Sequence, residues 1–69
     1  MVLSENQLLR LYQVFDFEEH EEIVSSELVK GQLSINYIDN IDGIIGCYKP
    51  HISKSQLRFI LKGIPLKRQ

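Results

Sequence analysis

Three segments of the chain share a local pattern that is typical of the start of a helix. In each one an apolar residue precedes a serine, three residues follow, and a second apolar residue comes next, at residues 3–8, 33–38 and 52–57. The serine hydroxyl is a good N-cap for the free N–H groups of a first turn, and the flanking apolar residues stand at the positions of a hydrophobic staple. The pattern predicts helices that begin at Ser4, Ser34 and Ser53.

A fourth helix is predicted between the first two of these. The apolar stripe of the first helix breaks near Asp16, because the next positions in phase with it are glutamates. Asp16 can cap a second helix, which Lys30 and Gly31 would end with a base and a left-handed residue. The predicted fold class is therefore all-α. It is a compact bundle of four short helices over residues 4–15, 17–30, 34–48 and 53–62, in a single small helical domain, residues 1–69.

The segment 34–48 has a competing interpretation as a β-hairpin. It contains weak helix formers, which are Asp39, Asn40, Asp42, Gly43 and Gly46. A hairpin at 32–48, with Asp42 and Gly43 in its turn, is the alternative for the third element. We prefer the helix because the capping pattern recurs in the first and last segments. In this helix Cys47 is expected to be a buried thiol.

Charge is unevenly distributed along the chain, although the net charge is only −1. Residues 1–48 carry nine acids and two bases, a sum of −7, whereas residues 49–69 carry six bases and no acid, a sum of +6. Such asymmetry indicates charged partners. A 69-residue chain has a marginal core, so a partner or self-association is expected.

The acidic part predicts a surface that binds another protein, including one that normally holds nucleic acid. The predicted partner-binding residues are Glu18, Glu19, Glu22 and Glu27. Because charged surfaces steer association more than they hold it, exposed apolar anchors are also needed. The candidates lie off the main stripe of their helices and are Leu9, Val29, Ile35 and Ile64. A homodimer, in which the +6 end of one copy meets the −7 end of another, is a further possibility.

The basic segment 52–63 reads Ile-Ser-Lys-Ser-Gln-Leu-Arg-Phe-Ile-Leu-Lys-Gly. It resembles the recognition helix of helix-turn-helix repressors. The resemblance implies DNA as a partner, with bases read by the first half of the helix and phosphates held beyond it. The implied nucleic-acid-binding residues are Lys54, Ser55, Gln56, Arg58, Lys62, Lys67 and Arg68. The connection at 46–51 is longer than the three- or four-residue turn of that motif.

No pattern in the chain indicates catalysis. His20 lies among glutamates but lacks the second histidine of a zinc-protease helix, and Cys47 and His51 lack a recognisable oxyanion site. We therefore predict that the protein is not an enzyme and holds no cofactor or metal. A single cysteine and the absence of an apolar run of about 20 residues predict a cytoplasmic protein without a membrane span.

These observations favour a small helical regulatory protein that acts by protein–protein binding, as an inhibitor or modulator of a transcription or replication component. The alternative is a helix-turn-helix-type DNA-binding regulator that uses the basic C-terminal helix.

Overall fold

The computed structural model describes residues 1–66 and has an α+β fold. In chain order its elements are α1 (Glu5–Val14), β1 (Glu21–Val29), β2 (Gln32–Asp39), β3 (Ile45–Tyr48) and α2 (Lys54–Lys62). The strands form one antiparallel sheet in the order β1-β2-β3. The predicted all-α bundle is therefore wrong. Strands occupy most of the predicted helices at 17–30 and 34–48, and the hairpin alternative for 32–48 matches the structure.

The two outer helices begin where the sequence predicts. At α1 the Ser4 hydroxyl accepts from the Gln7 N–H, while Gln7 Oε1 accepts from the Ser4 N–H. Ser53 and Gln56 form the same reciprocal capping box at α2. Gly63 ends α2 with a φ of +72°, a left-handed conformation that glycine adopts without strain. These devices act within one turn, so they depend mainly on residues close together in the sequence.

β1 was mispredicted as a helix because its inward-facing residues do not alternate regularly. A bulge shifts the register within the strand, so that Ile23, Ser26 and Leu28 face the helices. Their spacing of three and then two breaks the strict alternation by which a strand is recognised in a sequence. Lys30 and Gly31, predicted to end a helix, form a two-residue hairpin turn instead. Their φ values are +51° and +77°, and two positive values are typical of a type I′ turn.

β2 is the central strand and carries the middle of the core. Leu33 and Ile35 are 1% and 0% exposed and face the helices. Ser34, predicted to be an N-cap, pairs within the sheet, and its carbonyl accepts from the buried Ser26 hydroxyl at 2.7 Å. Ile38, the predicted staple partner of Leu33, lies on the opposite face. The predictions of a helix start at Ser34 and of an exposed Ile35 are therefore wrong.

The two helices pack on each other and against one face of the sheet. At the end of α2, Gln7 Nε2 donates to the Leu61 carbonyl at 3.1 Å and Arg10 Nη1 donates to the Ile60 carbonyl at 3.0 Å. The buried hydrophobic residues form one cluster, namely Leu3, Leu11, Ile23, Leu33, Ile35 and Ile60. Among residues 1–66 no helix packs on the other face of the sheet, which is called the open face. Within residues 1–66 no helix has the length and apolarity to cross a membrane.

Candidate functional site

Aromatic side chains gather where α1 leads into the sheet. Three ring pairs make edge contacts, with centroid distances of 5.6 Å for Tyr12–Phe17, 6.2 Å for Phe17–Tyr37 and 5.9 Å for Phe15–Tyr48. Such pairs contribute about 0.5–1.5 kcal/mol each beyond the area they bury. They therefore hold the loop after α1 against β2 and β3.

That loop has a defined path because its ends are hydrogen-bonded. α1 ends at Phe15, whose backbone is extended while its N–H still donates to the Leu11 carbonyl at 2.9 Å. At the start of β1, Glu21 Oε1 accepts from the Glu18 N–H at 2.8 Å, and the Glu21 N–H donates to the Glu18 carbonyl at 2.9 Å. One oxygen of the Glu21 carboxylate thereby organises the loop beside the rings.

The β2–β3 hairpin end is attached to the same loop. The Asn40 N–H donates to the His20 carbonyl at 2.7 Å, and His20 Nε2 lies 3.5 Å from Asp39 Oδ2. Inside the hairpin, Asp39 and Asp42 each accept a backbone N–H two residues further on, at 2.9 Å. These aspartates therefore shape the turn.

A cavity of about 220 Å³ opens between the loop and the sheet. Its lining combines two acids with three aromatic rings and consists of Asp16, Phe17, Glu21, Tyr37, Cys47 and Tyr48. Among residues 1–66 no basic side chain lines it. Carboxylates and ring faces both attract a cation. Since pockets for small molecules usually enclose about 300–1,000 Å³, this one suits a single side chain.

Tyr37 reaches this position because its cross-strand neighbour is glycine. Gly46 pairs with Tyr37, and a Cβ placed on Gly46 would lie 2.5 Å from Tyr37 Cζ and 2.6 Å from its hydroxyl oxygen. The ring therefore occupies the space that any other side chain at this position would need. Only the strand register reveals this pair.

The predicted acidic surface is divided in the structure. Glu18 and Glu19 lie in the loop before β1, whereas Glu22 and Glu27 lie in β1 on the open face of the sheet. All four are exposed. The structure does not bring them together on one helix face.

Neither Asp16 nor Glu21 is among the four predicted partner-binding residues, although Glu21 belongs to the acidic face of the predicted second helix. A sequence signal for them existed in the run of acids that begins beside Phe15 and Phe17. The sequence gives no indication of Tyr37, because its ring contacts the loop only when β2 is part of the sheet.

Basic side chains form an exposed row along α2. They are Lys54, Arg58 and Lys62, spaced four residues apart, and none forms an ion pair among the residues that the structure describes. Ser55 is half-buried, and the Gln56 carboxamide oxygen is engaged in the capping box.

The remaining predicted basic residues, Lys67 and Arg68, lie outside the described residues. The element before α2 is the strand β3, so the paired helices of a helix-turn-helix motif do not occur in residues 1–66.

Cys47 is exposed, which corrects the prediction of a buried thiol. Its strand partner is Asn36 on the open face, and His51 is also exposed. In the described part of the chain no three histidine, cysteine or acidic side chains cluster closely enough to hold a metal ion.

The fold and the site define a small α+β protein with an acidic, aromatic-lined cavity beside a sheet edge. Comparisons with family models, curated proteins and solved structures found no match to this chain. Any functional conclusion therefore follows from the site itself.

Proposed function

We propose that this protein is a small regulator that acts by binding another protein, and that its cavity receives a lysine or arginine side chain of the partner. The observation that carries the proposal is the combination of Asp16 and Glu21 with the rings of Phe17, Tyr37 and Tyr48 in one cavity. A cation over an aromatic face gains about 0.5–2 kcal/mol, and the nearby carboxylates add to that attraction.

The acids around the cavity support a basic partner. Glu18 and Glu19 are exposed in the same loop as Asp16, and charges in this arrangement steer an oppositely charged surface during association. Nucleic-acid-binding components of transcription or replication carry such surfaces. A protein that covers their basic side chains would inhibit or modulate them. On this proposal the protein works in the cytoplasm and has no catalytic activity of its own.

The first test uses short peptides that contain one arginine in a Gly-Ser-Thr background, with a glutamine peptide as the matched ligand control. We expect the arginine peptide to shift the backbone amide NMR signals of Phe17, Tyr37 and Tyr48 saturably, with a Kd of about 1 mM for a single side chain. The glutamine peptide should leave those signals unmoved. Replacing Glu21 by glutamine should weaken binding by up to about fivefold, since it removes a carboxylate close to the bound cation.

The matched protein control is Glu27→Gln, which removes the same charge from the open face. Equal weakening by Glu21→Gln and Glu27→Gln would show that net charge alone attracts the peptide. That result, or an absence of any shift with the arginine peptide, contradicts the proposal. If Glu21→Gln disturbs the loop, a separate titration of the Asp16→Asn protein with the arginine peptide keeps the test decisive.

DNA binding through α2 is a second candidate, favoured by the exposed row of Lys54, Arg58 and Lys62. If these three side chains contact phosphates, log affinity for a mixed-sequence duplex should fall with log salt with a slope of about −2.7. Arg58→Gln should reduce the slope by about 1. Fluorescence anisotropy measures the salt slopes of the wild type and of Arg58→Gln. The control is Lys30→Gln, a substitution in the exposed β1–β2 turn. No binding even at low salt excludes this candidate.

A further inference from the structure

The two edges of the sheet differ in how their backbone groups are satisfied. Leu3 donates its N–H to the Ser26 carbonyl, and Leu28 donates its N–H to the Met1 carbonyl, so residues 1–3 cover part of the edge of β1. Such cover prevents unwanted strand pairing. β3 forms the opposite edge.

The backbone of β3 directs hydrogen-bonding groups outward. The Asp39 N–H donates to the Ile44 carbonyl at 2.9 Å, and residues of an antiparallel strand alternate between the two sides. The N–H and C=O groups of Ile45 and Cys47 therefore point away from β2. Among the described residues no group hydrogen-bonds to them.

The side chains of β3 do not protect this edge. The strand reads Ile-Gly-Cys-Tyr, without a charge or a proline. Ile44 and Ile45 are 64% and 69% exposed, and Ile38 lies beside Ile45 on the open face. An open backbone edge with exposed apolar side chains is a template for another strand.

We propose that the occupant of this edge is a second copy of the chain, with the two β3 strands antiparallel about a two-fold axis at Gly46. In that register Ile45 of each copy exchanges its backbone hydrogen bonds with Cys47 of the other. The two sheets become one continuous sheet. This dimer goes beyond the proposed function and does not depend on it.

Charge complementarity between Lys49 and Asp42 favours a second copy of the chain as the occupant of this edge. When this register is continued past the ends of the strand, Lys49 of each copy approaches the β2–β3 turn of the other, which carries Asp42. Both Lys49 and Asp42 are exposed. Two such ion pairs form per dimer, because a two-fold interface repeats every contact. An unrelated strand has no reason to carry this arrangement.

Sedimentation equilibrium over a range of protein concentrations tests the proposal directly. We expect the mass to rise from 8.0 kDa towards twice that value. Cys47 is the only cysteine, and diagonal neighbours on adjacent strands lie about 7–8 Å apart. A short bismaleimide should therefore produce a covalent dimer. A mass of 8.0 kDa at every concentration up to about 1 mM, where weak association still registers, overturns the proposal.

Two edge variants localise the interface. Cys47→Pro removes an outward N–H, which an edge strand tolerates, and Ile45→Lys adds a charge to an exposed side chain. Both should remain monomeric while far-UV circular dichroism keeps the wild-type spectrum. Cys47→Ser keeps the edge, and Val24→Lys changes an exposed β1 residue, so both should dimerise like the wild type. If a folded Ile45→Lys protein dimerises as well as Val24→Lys, the interface lies elsewhere.

Charge substitutions at Lys49 and Asp42 distinguish a second copy of the chain from other binding partners at this edge. Lys49→Glu should weaken dimerisation at least about fivefold, since it replaces two attractive pairs by repulsive ones. Combining it with Asp42→Asn, whose side-chain oxygen can still accept from the Ile44 N–H, should recover part of the lost affinity, because the repulsion between positions 49 and 42 is removed. If the double variant is no tighter than Lys49→Glu, the proposed register is wrong.

Discussion

Replacing Ile35 by alanine is expected to lower the free energy of unfolding by about 2–5 kcal/mol. Ile35 is fully buried at the centre of the sheet, and the truncation leaves a space that helices and strands on all sides cannot refill. A domain of this length has a total stability of about 3–10 kcal/mol, so the variant would lose a large part of it. Urea denaturation followed by far-UV circular dichroism measures the loss.

Ile41→Ala is the matched control, because it makes the same truncation at a side chain that is 77% exposed. Its stability should change by less than about 0.5 kcal/mol. In the four-helix interpretation Ile35 is an exposed partner-binding anchor, so its truncation would cost little. Equal effects, or a larger effect at Ile41, would contradict the structure.

Gly46→Ala is expected to destabilise the protein by about 1–3 kcal/mol, because the new Cβ collides with the Tyr37 ring and forces it off its contacts. The direction of this change in stability is informative. Glycine within a strand normally costs about 0.5–1 kcal/mol relative to alanine, so without the ring the substitution would stabilise β3. Near-UV circular dichroism of the tyrosines should also change, since Tyr37 packs on Phe17.

A double-mutant cycle identifies the ring as the cause. In a Tyr37→Leu background Gly46→Ala should cost at least about 0.5 kcal/mol less than in the wild type, since contacting residues couple. Cys47→Ala, which changes the next residue on the exposed side, should be nearly neutral in both backgrounds. If the cost of Gly46→Ala is the same with and without Tyr37, the inferred stacking of the ring over Gly46 is wrong.

The parts of the fold that the sequence predicts are those governed by neighbours in the chain. Both capping boxes need only a serine and a glutamine three residues later, and the left-handed end of α2 needs only Gly63. The hairpin signal around Gly43 was also readable. The pattern at residues 33–38 favours a capped helix start over this hairpin, but in the structure Leu33 and Ile35 belong to the alternation of a strand.

The candidate site was less accessible to sequence reasoning. Acidic residues near Phe17 are evident in the sequence, and a helix over 17–30 predicts a shared acidic face for Glu18, Glu19, Glu22 and Glu27. β1 separates that set and brings Glu21 into the cavity instead. The bulge concealed the strand, because one extra residue breaks the period of two on which recognition depends.

By itself the sequence determined the ends of α1 and α2, the uneven charge and the basic row on α2. Each of these depends on residue identity and on separations of a few positions. Only the tertiary structure decided that the central segments are strands, that Tyr37 lies over Gly46, and that acids and rings share a cavity beside an open edge. Those features depend on register between distant segments, where burying Leu33 and Ile35 against both helices outweighs local helix-forming signals.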